Sequence, residues 1–328
     1  MTGAAAATQQ RAWPWRALGG VRDLVVGSLL CLTPITALLA LGWITRRMRY
    51  LVDQQWGGSG APPGWFLGQP GAGVLPTLLG GLAANIKVGF RTALGLFVLT
   101  LPFTLAWLGA WWAGWENSFN KGYEQAAVGP GVWAIATLLS LPILAHLHLA
   151  LAHAAAEDRI GAYVEWRRIR SVAAAAGWRL AWLGILSVLV SFLLFAQRVF
   201  PVFIEGVVPG FADMTVSQQA SVAGQIDLVA AILAFATTVF LRHRAAMIYA
   251  IAAPRAAMGR FADLWVGHRA QSVPVSGPVP RRIASLLWLG AACVIWLAVP
   301  VLIVAGQFMN YDLMHWILHP VFTLPWAG

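Results

Sequence analysis

Three histidines lie in one apolar stretch near the middle of the chain. They are His146, His148 and His153, and no charged residue interrupts the segment from Leu144 to Ala156. Ionisable side chains in apolar segments are costly and often functional, and histidine ligates haem iron, chlorophyll-type magnesium or a transition metal. His146 and His153 are seven residues apart, so they share one helix face. The stretch is a candidate metal or tetrapyrrole site. The alternative is that each ring hydrogen-bonds a neighbouring helix and binds nothing.

A second group lies near the C-terminus and consists of Asp312, His315 and His319. Spacings of three and four residues put one carboxylate and two imidazoles on a single helix face. Copper, iron and zinc use such ligand sets. The alternative is an interfacial helix whose histidines face water. The sequence therefore leaves the cofactor unknown, with a divalent metal and a tetrapyrrole as the two options.

Asp227 stands near the start of another apolar segment. As an intramembrane acid it could bind a proton or a cation. Alternatively, it lies at the interface or caps the helix. The sequence contains no Walker motif, dinucleotide glycine fingerprint, nucleophile elbow or zinc-protease signature. We therefore assign no catalytic residue and do not expect soluble-type enzymatic activity.

The amino-acid composition indicates whether water or lipid surrounds these residues. Hydrophobic residues make up 59% of the 328 positions and charged residues 10%, whereas an ordinary soluble domain carries roughly a quarter charged residues. So few charges cannot cover a water-soluble surface. The two cysteines, Cys31 and Cys293, lie far apart in apolar segments and form no disulfide framework. The sequence predicts an all-α integral membrane protein.

Six apolar segments lie between the charges: 24–44, 92–115, 132–153, 180–197, 221–241 and 283–306. Each approaches the roughly 20 residues that a helix needs to cross the hydrocarbon core. Together they predict one membrane domain over 24–306. Residues 1–23 form a cytoplasmic or flexible N-terminal segment, and 307–328 form an interfacial C-terminal segment. The Gly- and Pro-rich stretch from Gln54 to Gly81 predicts a surface loop.

Most of the 22 Lys and Arg residues fall in the loops that follow the first, third and fifth segments. Because short basic loops stay on the cytoplasmic side, this predicts a bacterial inner-membrane protein with a periplasmic C-terminus. Arg11, Arg16 and Arg22 conflict with a full first span, which would place them outside. Pro34 removes a backbone hydrogen bond in the middle of that segment. The segment is therefore either a kinked span or a re-entrant hairpin whose ends both face the cytoplasm.

The basic loops also contain amphipathic sequence patterns. Residues 157–176 predict a helix along the inner leaflet. Arg244 and Arg255 are eleven residues apart, about three helical turns, so they should share a face, although Pro254 should bend the helix between them. The net charge of +10 thus reflects topology and anionic headgroups, not nucleic-acid binding. The predicted headgroup contacts are Arg46, Arg47, Arg49, Arg167, Arg168, Arg170, Arg244 and Arg255.

Part of this pattern resembles a known family. Pro34 is followed by Gly42-Trp43, by Arg46 and Arg49, and then by a Gly/Pro-rich loop, Leu75-Pro76 and a short amphipathic stretch. Glu157-Asp158-Arg159 then leads through Tyr163 and Trp166 into a further span. Over roughly residues 24–200 the chain resembles an uncharacterised family of polytopic prokaryotic membrane proteins, known only as a domain of unknown function. The resemblance implies an architecture and no activity.

Three functions fit these patterns. We expect a non-catalytic subunit or scaffold of a membrane complex, whose partners are the bilayer and other membrane subunits or further copies of the chain, because small residues let helices approach closely. The main competitor is a small-solute or lipid transporter or channel, since Pro34, Pro102, Pro142 and Pro300 interrupt spans. The third is a metal- or tetrapyrrole-binding redox or light-harvesting subunit.

Overall fold

The structure is a computed structural model that describes residues 13–67, 74–110, 146–199 and 204–275, with the single positions 287 and 290. Within those ranges every regular element is helical, which confirms the predicted all-α class. The α-helices are α1 (Trp13–Leu30), α2 (Pro34–Gln55), α3 (Val74–Ala110), α4 (146–157), α5 (Trp166–Ala176), α6 (Trp178–Val199), α7 (Ile204–Val207) and α8 (Val216–Met258). Short 3-10 turns cover Ile160–Val164, Phe211–Asp213, Ala262–Trp265 and Arg269–Ser272.

Two of these helices are long and apolar enough to cross a membrane. They are Thr77–Pro102, within α3, and Val216–Met258, which is α8. The fourth predicted segment, 180–197, is helical within α6. The third is described only from residue 146, and the sixth, 283–306, lies outside the described residues except at positions 287 and 290. Segments 1–12 and 307–328 also lie outside them.

Two helices extend beyond the predicted apolar segments, because charges do not end these helices. α3 begins at Val74, not at 92, so the predicted loop up to Gly81 is too long. Lys87 and Arg91 sit inside the helix without interrupting it, since Lys and Arg are good helix formers. α8 likewise continues from the predicted 221–241 segment to Met258 and includes Pro254. Its start is fixed by a capping box, in which Thr215 and Gln218 satisfy each other's backbone N–H groups.

The single amphipathic helix predicted over 157–176 is also wrong. α4 ends where Asp158 takes a left-handed backbone with φ of 52°. A 3-10 turn then precedes α5. Ile160 and Val164 are exposed, whereas Ile169 and Val172 are buried inside the protein. The apolar face of α5 therefore packs on the protein, mainly on α8, and is not free to lie on a leaflet.

The first predicted segment is a helical hairpin. Pro34 occupies the first turn of α2, and the Thr33 side chain caps that helix by accepting from the Thr36 N–H. Gly20 and Leu24 of α1 line the same cavity as Arg47 and Leu51 of α2. The chain therefore reverses direction at residues 31–33, and the two helices run antiparallel. Their outer ends, which carry the basic residues, lie at the same end of the molecule.

Two glycines set how α2 and α3 cross. A Cβ added at Gly42 would lie 1.9 Å from the backbone oxygen of Asn85, and one added at Gly89 would lie 2.0 Å from that of Leu38. The helix backbones touch at this point, which no larger residue permits. Beside the crossing, α8 packs against α2 and α5 through buried alanines, among them Ala245, Ala246 and Ala253. Small residues thus bring the helices close together.

Candidate functional site

Side chains from all three predicted cytoplasmic loops meet in one chain of ion pairs, which we call the charge ladder. It runs Arg91, Asp158, Arg49, Asp53, Arg269. Arg91 Nη2 lies 2.7 Å from Asp158 Oδ1, and Arg49 contacts both Asp158, at 2.5 Å, and Asp53, at 3.8 Å. Arg269 pairs with the other oxygen of Asp53. Segments more than a hundred residues apart in sequence are therefore joined at one end of the helix bundle.

The charge ladder forms one wall of an open groove between α2 and α3, with a volume of about 650 Å³. Arg46 and Lys87 also line this basic groove. Five basic side chains thus face two carboxylates, and the groove has an excess of three positive charges. Arg46 is held in place by neutral oxygens: its Nη1 donates to Asn85 Oδ1 at 2.8 Å and, at longer distance, to backbone carbonyls. Asn85 is fully buried and donates in turn to the Trp65 carbonyl.

Behind the ladder lies a buried histidine network. His153 is fully buried, and its Nε2 donates to Glu165 Oε2 at 2.9 Å, while its Nδ1 lies 2.8 Å from the hydroxyl of Tyr249. Arg159 and Arg168 also pair with Glu165. The hydrogen bond from His153, followed by the contact with Arg159, lowers the pKa of the Glu165 carboxyl to about 2. This carboxylate is therefore ionised throughout the physiological range.

A second histidine–carboxylate pair adjoins this network. His268 Nε2 lies 2.6 Å from Glu157 Oε1. Burial raises the pKa of Glu157, but the hydrogen bond and charge of His268 outweigh it, so the pKa is lowered. The ring of Trp265 packs edge-on against His268, with centroids 4.7 Å apart, and its Nε1 donates to Ser171. The segment that follows α8 is thereby attached to the end of α4 and to the middle of α5.

The structure brings His148 to a different partner set, deeper among the helices. Arg242 is buried and donates from Nη1 to His148 Nδ1 at 2.8 Å. The opposite nitrogen, Nε2, lies 2.9 Å from the hydroxyl of Ser187, which itself donates to the Leu183 carbonyl. Both ring nitrogens of His148, like both of His153, are thus used by protein groups, which favours the structural interpretation of these two rings.

His146 packs edge-on against Trp166, with ring centroids 6.4 Å apart. The three histidines do not converge on one point, and among the described residues no group of three or more His, Cys, Asp or Glu could hold a metal ion. Asp312, His315 and His319 lie outside the described residues, so a metal or tetrapyrrole there stays a prediction.

Asp227 is exposed on α8. The helix is capped by Thr215, twelve residues earlier and about 18 Å along the axis. The prediction that Asp227 caps this helix is therefore wrong. Its role as an intramembrane acid stays a prediction.

The predicted headgroup arginines divide into three groups by exposure. Arg49, Arg167, Arg170 and Arg244 are exposed, Arg46, Arg47 and Arg168 are half-buried, and Arg255 is buried. Arg244 and Arg255 share a helix face by spacing, but the protein covers the end of α8 that carries Arg255. Arg168 donates to the Leu264 carbonyl as well as to Glu165. Arg46 and Arg168 thus have intramolecular roles that the sequence analysis did not predict.

Sequence reasoning also missed Asp53, Asp158, Glu165, Tyr249 and His268 as members of this region. One signal was available: Glu157-Asp158-Arg159 places three charges directly after an apolar helix. The partners of those charges come from distant segments and have no local signature. No family model matches the chain, and no curated protein or solved structure does either.

Proposed function

We propose that the chain is a multi-pass bacterial inner-membrane protein that acts as a non-catalytic subunit or scaffold of a membrane complex. The charge ladder carries this proposal. Charge bias alone assigns three separate loops to the cytoplasmic side, and Arg91, Asp158 and Arg269, one from each loop, belong to a single chain of ion pairs. A helical bundle inserted in a bilayer would bring these loops together at one end.

The α1–α2 hairpin supports a re-entrant first segment. From Arg22 to Leu30 the chain rises about 12 Å, and from Pro34 to Arg46 about 18 Å, less than the roughly 30 Å of the hydrocarbon core. The turn satisfies its own polar groups, because Thr36 Oγ1 donates to the Leu30 carbonyl at 2.8 Å and Cys31 N–H donates to Gly27. Such a turn tolerates apolar surroundings. Both ends of the hairpin would face the cytoplasm, with the other five segments as spans.

The exposed apolar face of α3 supports a protein partner. The exposed fractions of Leu75, Leu78 and Leu79 are 67%, 53% and 48%. Leu78 and Leu79 fall inside the apolar stretch Thr77–Pro102, but all three leucines precede Arg91, which we assign to the cytoplasmic side with the charge ladder. We therefore assign the span to the part of α3 from residue 92. Large apolar side chains at such positions mark interaction surfaces. We assign this face to contact with another subunit or a further copy of the chain.

Two measurements test the proposal. Carbonate-washed membranes should retain the protein; its release into the supernatant would contradict membrane insertion. A photo-crosslinking amino acid at position 78 should then give a discrete protein adduct in native membranes, whereas the same group at position 229, on the exposed face of α8, should label lipid. A protein that purifies from its own membranes as a lone monomer, with no adduct from position 78, would refute the scaffold role.

The transporter alternative has one specific observation in its favour. A cavity of about 270 Å³ lies between the hairpin and α8, and its wall includes Trp43, Arg242 and His243. A solute or a lipid headgroup could enter between a re-entrant hairpin and a span. Flux assays in proteoliposomes would distinguish this function, because a scaffold would give no solute- or lipid-dependent flux.

The family resemblance over residues 24–200 supports the multi-pass architecture in the proposal and implies no activity. The third option, a metal- or tetrapyrrole-binding redox or light-harvesting subunit, depends on the histidine groups. An absorption spectrum and elemental analysis of the purified protein test it directly. A Soret or chlorophyll-type band, or stoichiometric metal, would favour that option over the scaffold.

A further inference from the structure

We propose that the basic groove between α2 and α3 binds a phosphate-bearing anion. The net charge of the groove favours an anion. In the charge ladder, Asp53 and Asp158 are shared by Arg49, Arg91 and Arg269. Three arginines face two carboxylates, so the charge ladder alone has a net charge of +1. The other basic residues of the groove add to this charge.

The other two cations of the groove increase this excess. Within the described ranges, neither Arg46 nor Lys87 has a carboxylate partner: Arg46 donates to the side chain of Asn85 and to two carbonyls, and Lys87 is exposed at the groove wall. Like charges held this close repel one another, and a bound anion relieves that repulsion. An excess of three charges suits a phosphate monoester or diester better than a single carboxylate.

The donors are also held in place, which favours a specific ligand over a diffuse ion cloud. The Arg269 guanidinium lies 4.9 Å above the ring of Trp56, and stacking of this kind fixes the plane of its donors. The Trp56 indole is itself anchored by donating to the Ala250 carbonyl at 2.9 Å. Arginine donors fixed by neighbours present paired N–H groups to phosphate oxygens. The groove volume, about 650 Å³, lies within the range of small-ligand sites, roughly 300 to 1,000 Å³.

Two sources could supply such an anion: a free phosphate compound and the headgroup of an anionic lipid. Ile86 and Phe90, which flank Lys87 on α3, are 50% and 62% exposed. They would contact an acyl chain if the phosphate belonged to a lipid, and would be irrelevant to a soluble phosphate. This difference lets the experiment separate the two sources.

The test is titration calorimetry on the full chain in dodecyl maltoside with three probes: inorganic phosphate, dioctanoyl phosphatidic acid and dioctanoyl phosphatidylcholine. Lys87→Gln removes one cation from the groove, and Arg244→Gln is the matched control, because it removes an exposed cation elsewhere on the same predicted cytoplasmic side. We expect Lys87→Gln to weaken binding of the phosphate-bearing anion about fivefold, the factor for one cation near an anionic headgroup, and Arg244→Gln to change it less than about twofold.

Each outcome decides the proposal. Binding of both inorganic phosphate and phosphatidic acid, weakened selectively by Lys87→Gln, supports the site with a soluble ligand. Binding of phosphatidic acid without inorganic phosphate supports a lipid headgroup, and Phe90→Ser should then weaken it further. No binding of either anion, equal losses in both variants, or equal binding of phosphatidylcholine overturns the proposal. The assay reads the groove alone, so its failure would leave the scaffold role, which the crosslinking experiment tests, standing.

Discussion

Replacing Gly42 by alanine should separate α2 from α3. The new Cβ would lie 1.9 Å from the Asn85 oxygen, 2.7 Å from its carbonyl carbon and 2.8 Å from the Gly89 nitrogen. All three are backbone atoms, so no side chain can rotate away. Restoring ordinary contact distances requires the helices to part by about 1.5 Å. Asn85 would move with α3.

That movement disrupts buried polar contacts as well as packing. Asn85 would lose good geometry to Arg46, now at 2.8 Å, and to the Trp65 carbonyl, now at 2.7 Å. Overpacking costs about 1 to 3 kcal/mol, and each weakened buried hydrogen bond adds about 1 kcal/mol. The free energy of unfolding should fall by about 3 to 5 kcal/mol. For a chain of this size the unfolding temperature should drop by roughly 4 to 7 °C.

The assay is thermal unfolding of the purified protein in detergent, with Gly224→Ala as the matched control. Gly224 is also helical, but nothing lies within 4 Å of a Cβ added there. Alanine at that position should be neutral or stabilise the helix by up to about 1 kcal/mol. Equal unfolding temperatures for the two variants would refute the close crossing of α2 and α3.

Three further predictions concern Tyr249, Glu165 and Cys31. Tyr249→Phe leaves Nδ1 of the fully buried His153 without its hydroxyl partner and should lower the free energy of unfolding by about 1 to 3 kcal/mol. Tyr50→Phe is the control and should have no measurable effect. A larger loss of stability in Tyr50→Phe than in Tyr249→Phe would contradict the network. Because the pKa of Glu165 is lowered from 4.5 to about 2, its contribution of roughly 1 to 2 kcal/mol, allowing for solvent screening, should be complete above about pH 4.5 and lost as the pH falls towards 2. Unfolding measured as a function of pH should show that loss of stability in the wild type and a weaker dependence on pH in Glu165→Gln. Identical pH dependences of the two proteins would contradict a stabilising role of the Glu165 carboxylate. Cys31 is fully buried, so in a Cys293→Ala variant it should react with maleimide only after unfolding; rapid labelling of the native protein would contradict the packing of the hairpin on α8.

Hydropathy predicts the helical class well because it sums over many residues. It predicts helix ends poorly, since a helix ends where its backbone is capped or strained and not where charge begins. Gly81 lies within α3 although a predicted loop ended there, and the charged Lys87 does not interrupt the same helix. Thr215, which caps the start of α8, carries no charge. At the end of α4 a charged residue does end the helix, but it does so through its backbone: Asp158 adopts a left-handed conformation there.

The histidines show why the site was harder to predict than the fold. An imidazole in an apolar segment is equally consistent with a ligand site and with a satisfied core residue. The choice depends on partners that sequence spacing does not reveal: His153 meets Tyr249 and Glu165, and His148 meets Arg242. Such partners are 12 to 96 residues away along the chain. Only the packing of α4 between α5 and α8 brings them together.

In the proposed topology, the hairpin would remove the one conflict that charge bias leaves. A full first span would put Arg11, Arg16 and Arg22 on the opposite side from Arg46, Arg47 and Arg49, against the bias of every other loop. In the structure the chain reverses between α1 and α2, and Asp23 of α1 accepts a hydrogen bond from Trp65, which stacks on Trp43 of α2 at 4.3 Å. We therefore expect a cysteine placed at residue 5, in a chain without Cys31 and Cys293, to be labelled only from the cytoplasmic side. Labelling from the periplasm would require α1 and α2 to separate and span the bilayer as one kinked helix. That movement would take Asp23 away from the stacked Trp43 and Trp65 and leave its carboxylate without the indole donor.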